Sequence, residues 1–209
     1  MSARIKICGI THPDFAQAAE SAGAHAIGLM FYPPSKRHLE LDQAAVISKA
    51  LGPLIHKVAV MVDPSKEYVN EIITRVGVQC LQFHGDESEA FCQQFGLPYV
   101  KSLRVGSQTS QDILDYELKY PSASAILLDT HVTGQYGGTG QAFDWSRSQY
   151  GGAKPIILAG GLTPENVFEA ISQVQPYAVD VSSGVEMNGV KDIAKIKMFC
   201  NQVLKNNIK

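Results

Sequence analysis

Two apolar stretches, far apart in the chain, each end on a side chain that can move a proton. Arg4-Ile5-Lys6-Ile7-Cys8 stops on a thiol with Gly9 directly after it, and Ala125-Ile126-Leu127-Leu128-Asp129 stops on a carboxyl group. A thiolate can take a proton from carbon and a carboxylic acid can give one to oxygen, the two halves of general acid–base catalysis. Each residue also has a plainer reading. Free cysteine is a small, usually buried hydrophobe, and an Asp after an apolar run commonly caps a turn or helix. Strand alternation sorts the faces. Ile5 and Ile7 share one phase and Lys6 and Cys8 the other, while Ala125, Leu127 and Asp129 lie opposite Ile126 and Leu128.

Further polar groups recur in the same kind of place. Gln82 and His84 share a phase in one run, and Asp180 and Ser182 share one in another. His84 reads as a structural residue before a substrate contact, and Asp180 as a buried polar partner before a catalyst. Gly160 and Gly161 follow one apolar run and lead into a helical stretch; Ser183 and Gly184 follow the next, with Ser182 beside them. Glycines let a backbone approach an anion, and the free N–H groups of a helix start point at it, so these loops suit a phosphate. Their plainer reading is ordinary turn glycine. The segment FYPPSKRHLE carries Lys36 and Arg37 after a rigid Pro-Pro. Arg37 can clamp a substrate carboxylate bidentately; otherwise the two are a solvated basic pair. Residues 130–145 hold four glycines and suit a cover over a site.

These residues need a scaffold that brings them together. Strands are expected at Arg4–Cys8, Ala24–Met30, Lys57–Val62, Cys80–His84, Tyr99–Leu103, Ala125–Asp129, Pro155–Ala159 and Ala178–Ser182. Helical stretches between them are Pro13–Ala22, with Thr11 as cap, Asp42–Leu51, Pro64–Val76, Ser88–Phe95, Ser110–Lys119, Asp144–Gln149, Pro164–Gln173 and Asp192–Lys205. Pro64 and Pro164 suit a first helical turn, where a missing N–H costs nothing. Strand then helix, repeated, means parallel pairing with helical crossovers. Eight units in 209 residues favour an α/β protein folded as a single closed (β/α)8 barrel spanning 1–209. An open doubly wound sheet would usually offer GxGxxG after its first strand, where this chain has only Cys8-Gly9-Ile10-Thr11. Barrel active sites lie at the carboxyl ends of the strands, and the loops after strands seven and eight often bind phosphate. Cys8, Asp129 and both glycine loops sit in those places.

Composition narrows the partners. The chain is 45% hydrophobic with formal net charge −2, which points to neither nucleic acid nor a membrane surface. No apolar run approaches the roughly 20 residues of a spanning helix, and the first residues lack the order of a signal peptide. Cys8, Cys80, Cys92 and Cys200 are scattered, with no CxxC pair for zinc or redox work. A reducing, cytoplasmic compartment is expected, with Cys80 and Cys92 as filler and Cys200 in the last helix.

The motifs KICGIT, FYPPSKR, FHGDE, LLDT, YGGTGQAFDW, AGGLTPENV and VDVSSGVE, in this order from Lys6 to Asp192, resemble the phosphoribosylanthranilate isomerases of tryptophan biosynthesis. The resemblance implies a cofactor-free, metal-free Amadori rearrangement of N-(5-phosphoribosyl)anthranilate by a cytoplasmic monomer or homodimer. It implies Cys8 as general base, Asp129 as general acid, Arg37 on the anthranilate carboxylate, and Gly160, Gly161, Ser183 and Gly184 on the phosphate. Lys6, two residues from Cys8 in the same phase, is expected to favour the thiolate. Two departures concern loops: Gln141 or Ala142 stands where members often carry a basic residue, and Asn188 where a proline is frequent. Rival readings lack residues. A metal-dependent epimerase would want His and Asp on the first three strand ends, an indole-forming synthase rim lysines and glutamates, and a thiol redox protein a resolving cysteine. A phosphate-binding regulatory module would keep the glycine loops but need neither Cys8 nor Asp129.

Overall fold

Runs rich in Ile, Val and Leu pair side by side in chain order until the last returns to the first. The computed structural model describes residues 2–105, 110–129 and 152–206. Its barrel strands are β1 (Arg4–Cys8), β2 (Ala26–Met30), β3 (His56–Met61), β4 (Cys80–Phe83), β5 (Tyr99–Arg104), β6 (Ala125–Asp129), β7 (Ile156–Ala159) and β8 (Ala178–Val181). All pairs are parallel, and β8 closes on β1 with Lys6 opposite Asp180. The expected (β/α)8 barrel is what the chain forms. Helices α1 (Pro13–Ser21), α2 (Leu41–Lys49), α3 (Lys66–Val76), α4 (Glu89–Cys92, extended by a 3-10 turn), α5 (Ser110–Lys119), α6 (Val167–Val174) and α7 (Ile193–Asn206) cross between strands or follow them. The expected helix at 144–149 and the glycine-rich cover at 130–145 lie outside the described residues, as do Gln141 and Ala142.

Alternation splits the core into two layers. Ile5, Ile7, Leu81, Ile126, Leu128 and Val179 pack against the helices in the larger cluster. Val100, Ala125, Leu127, Ile157, Ala159 and Ala178 form a smaller cluster in the opposite phase, inside the barrel. Both strand faces are therefore mostly apolar, as a helix-covered parallel sheet demands. The amino-terminal mouth of the barrel holds a cavity of about 530 Å³, on which half-buried Cys80 borders. Cys92 and Cys200 are fully buried filler, the latter within α7.

Helix starts follow local chemistry and correct three expectations. Thr11 is not the cap of α1: His12 is, its Nδ1 accepting from the Asp14 N–H at 3.3 Å, with Pro13 in the first turn. Pro64 precedes α3, because the Ser65 hydroxyl caps it by accepting from Tyr68 N–H at 3.2 Å. Pro164 lies in a turn before α6, where the Asn166 side chain accepts from Thr163 N–H at 2.8 Å and donates to Gly161 O at 2.9 Å. A side-chain acceptor satisfies an orphan N–H, which a proline merely omits. After β8 the chain makes a 3-10 turn (Ser183–Val185) and a small hairpin, β9 (Glu186–Met187) and β10 (Val190–Lys191). Asn188 (φ 53°) and Gly189 (φ 80°) turn it. Proline, locked near −65°, cannot take that φ.

Candidate active site

Cys8 closes β1 at its carboxyl end, 6% exposed, on the inward phase expected for it. The space around its sulfur comes from the neighbouring strand. Cys8 pairs with Gly28, where a β-carbon would lie 2.6 Å from Sγ and 3.2 Å from Lys6 Nζ. Thiol and ammonium thus face one gap that only glycine leaves open. Lys6 Nζ in turn donates to Asp180 Oδ2 at 2.8 Å, both side chains buried. Asp180 is the buried polar partner expected of it. Burial alone would lower the Lys6 ammonium, but the charge of Asp180 and the neighbouring Cys8 hold it well above its ordinary value. Lys6 favours the Cys8 thiolate, as expected of it, but other groups oppose it. Burial and the Asp180 charge push the thiol up, while Lys6 and Lys191 pull it down, and the upward causes prevail.

Gly9 turns the chain off β1 with φ 73°, and its missing β-carbon admits Arg37, whose Cδ would sit 2.4 Å from one. Arg37 is not free. Its Nε and Nη2 donate to the two Glu186 oxygens, both at 2.7 Å. Glu186 Oε1 also accepts from Lys191 Nζ at 2.6 Å, and Lys191 donates to Ser182 O at 2.8 Å. Burial opposes ionisation of Glu186, but these hydrogen bonds and charges hold its carboxyl below the ordinary carboxylate range. The hairpin register places Lys191 opposite Glu186, so the NG turn supplies two of the cluster's three charged members. Beside them a hollow of about 280 Å³ is lined by Thr11, Lys36, Arg37, Gln43, Glu186 and Lys191. Its polar rim suits a charged group.

On the far side of the mouth, His84 Nε2 lies 3.4 Å from Asp129 Oδ2. Gln82 Nε2 reaches His84 Nδ1 at 3.3 Å and Ser102 Oγ at 3.4 Å. The turn after β4 is fixed from below. Lys101 Nζ, wholly buried, pairs with Glu87 Oε2 at 2.9 Å and donates to Gly85 O. Glu87 Oε1 accepts from Asp63 N at 2.8 Å, and both Glu87 oxygens accept from Gly85 N.

The two glycine loops touch. A β-carbon on Gly184 would fall 1.8 Å from Leu162 O, so the turn holding Ser183 and Gly184 nests on the backbone beyond Gly161. Gly160 (φ 87°) and Gly161 (φ 63°) both need left-handed backbone. Sequence reasoning missed Gly28, Glu186 and Lys191. Glu186 and Lys191 had a signal, opposite charges flanking Asn-Gly; Gly28 had none, because one glycine in an apolar run says nothing of its neighbour.

A closed parallel barrel with its ionisable side chains gathered at the strand ends and the loops after them has the build of a (β/α)8 enzyme. Comparison with known proteins takes this to a family. Residues 5–202 match the model of the N-(5'phosphoribosyl)anthranilate (PRA) isomerase family, and the chain belongs to that family. An N-(5'-phosphoribosyl)anthranilate isomerase of Pseudomonas fluorescens is 53% identical over 205 residues, covering 98% of this chain and 97% of that one. The solved phosphoribosyl anthranilate isomerase of Thermotoga maritima superimposes with TM-score 0.86 at 38% identity, over 97% of this chain and 99% of that one. A phosphoribosyl anthranilate isomerase in complex with reduced 1-(o-carboxyphenylamino)-1-deoxyribulose 5-phosphate superimposes with TM-score 0.82 at 36% identity, with the same coverage. Among the described residues no helix is long and apolar enough to cross a membrane.

Proposed function

We propose that Cys8 and Asp129 divide the proton transfers of one sugar rearrangement. The chain is an isomerase of tryptophan biosynthesis, converting N-(5'-phosphoribosyl)anthranilate to 1-(o-carboxyphenylamino)-1-deoxyribulose 5-phosphate. Asp129, protonated when substrate binds, gives its proton to the furanose ring oxygen. The ring opens to a Schiff base whose C2 proton is acidic, and the Cys8 thiolate removes it. The enolamine then tautomerises to the ketone. Each acid or base contributes about 10²–10⁴-fold.

Arg37 has five N–H donors, of which Glu186 takes two, so the outer edge of the guanidinium can hold the anthranilate carboxylate. Gly160, Gly161, Ser183 and Gly184 hold the phosphate through backbone N–H groups, sequestered where the two loops nest. The whole chain, 1–209, works as one barrel domain on a small phosphorylated substrate, in the cytoplasm, as a monomer or homodimer.

What supports this assignment is that β1 and β6 end at the same mouth with a thiol on one and a carboxyl on the other. The test follows anthranilate fluorescence during turnover by the purified protein. Cys8→Ala should lower kcat by orders of magnitude with little change in affinity for a product analogue, and Asp129→Asn should do likewise. Near-normal turnover of either variant would remove that residue from the mechanism.

A further inference from the structure

Among the described residues, the three cations that act on or with the Cys8 thiol are each bound to a carboxylate, two of them to the same one. Lys6, on β1, holds Asp180 of β8 at 2.8 Å. Arg37, from the loop after β2, and Lys191, on β10, both hold Glu186. These four groups, Lys6, Asp180, Lys191 and Arg37, are the charges that act on or with Cys8 from the surrounding elements. The Lys6 ammonium serves both Asp180 and Cys8: it holds Asp180 at 2.8 Å, and it faces the same gap above Gly28 as the sulfur. Asp180 reaches Lys6 with one oxygen only. Its Oδ1 is buried and has no hydrogen-bond partner among the described residues. A carboxylate kept for packing alone would use both oxygens or be replaced by an apolar side chain at lower cost.

We propose that Asp180 is a positioning residue for the base: by holding one side of the Lys6 ammonium it makes Cys8 share that cation, and so sets how readily the thiol gives up its proton. The proposal rests on the reading of Cys8 as base and says what sets its strength. A thiolate stabilised by an unshared ammonium would be abundant, but a weaker base, because basicity falls with pKa. It would also be open to oxidation, which follows thiolate character. Asp180 trades standing thiolate for a stronger base. The base is the fraction of Cys8 that has first lost its proton to water: that thiolate takes the substrate C2 proton, the C–H bond breaks, its electron pair stays in the enolamine and S–H forms, while Lys6 and Asp180 exchange nothing.

The test is the pH dependence of Cys8 alkylation by iodoacetamide, read by mass spectrometry on the Cys8 peptide, beside the pH profile of kcat/KM. Wild type should half-ionise above the ordinary thiol value of about 8.5. Asp180→Asn, which keeps the shape and removes the charge, should alkylate at pH 7 at least about tenfold faster, since the thiolate is the nucleophile. Its acid limb of kcat/KM should move to lower pH. Lys6→Met should alkylate more slowly than wild type. An unchanged alkylation profile in Asp180→Asn, or a wild-type thiol that half-ionises at or below the ordinary value, overturns the proposal. Should Asp180→Asn not fold, the wild-type and Lys6→Met profiles decide, and Lys6→Met alkylating at the wild-type rate overturns it. A shifted alkylation profile with an unshifted rate profile supports control of the thiol by Asp180 while removing Cys8 as base.

Discussion

Gly28 carries no chemistry and yet decides how much room the Cys8 side chain has. A methyl group there would meet the sulfur at 2.6 Å and the Cys8 Cα at 3.1 Å, and the latter is backbone that cannot swing aside. Gly28→Ala should therefore leave a folded barrel and lower kcat at least about tenfold, with the circular dichroism spectrum unchanged, because small displacements of a reacting group are costly. Glu186 gives a prediction of a different kind. Its carboxyl lies below the ordinary range in the folded chain, so the stability it contributes is present above the unfolded pKa. That stability is lost as pH falls through the folded value. Denaturant titrations at pH 7 and pH 3 should show a smaller acid loss of stability in Glu186→Gln than in wild type; equal losses would mean the carboxylate is unperturbed. At this scale the sequence was legible where a polar residue ends an apolar strand, as at Cys8 and Asp129. It was silent on Gly28, because space beside a side chain depends on the register of the next strand.

Among the elements, the turn after β4 shows how a buried ion pair fixes the strand end that carries His84. Lys101 is completely buried and its partner Glu87 nearly so, and Glu87 ties down backbone N–H groups at Asp63 and Gly85. That holds His84 within 3.4 Å of Asp129. Removing one member of such a pair strands a charge in the interior at a cost of about 3–5 kcal/mol. Lys101→Met should lower Tm by roughly 6–20 °C for a chain of this size, and should lower kcat as His84 loosens from Asp129. A Tm within a degree or two of wild type would show that the pair is not what holds the turn. Strand limits were legible within two residues throughout, and β1 and β6 matched end for end. Helix starts were matched at Pro13 and Ser110 but missed by two or three residues at α3 and α6, where a proline precedes the helix without opening it, which periodicity does not encode. The side chains that cap, His12 on α1 and Ser65 on α3, were likewise not the ones expected.

For the molecule as a whole, the nesting of Gly184 on Leu162 O joins the last two βα loops into one wall, which the proposed function makes the phosphate site. Anything that binds only the folded chain stabilises it, by about 2.7 kcal/mol at a concentration of 100 Kd. Inorganic phosphate should therefore raise Tm in a dose-dependent way and compete with substrate. A Tm that ignores phosphate while responding to ionic strength alone would place the anion elsewhere. The barrel itself was the most legible feature, since eight alternating units leave few topologies. The ionic cluster around Glu186 was the least, because it joins positions as distant as Arg37 and Lys191.

The β1–β8 junction has a consequence for how the molecule comes into being on the ribosome. The first strand emerges early and waits, one edge unpaired, until Ala178–Val181 has been made, and an exposed edge is a template for pairing with other chains. At synthesis rates of about 5–20 residues per second that wait lasts roughly 10–35 seconds. Charges along the waiting segment, Arg4 and Lys6, are the kind of residue that discourages such pairing. The lysine that later neighbours the thiol thus begins its service as a guard against aggregation, before there is a site to serve.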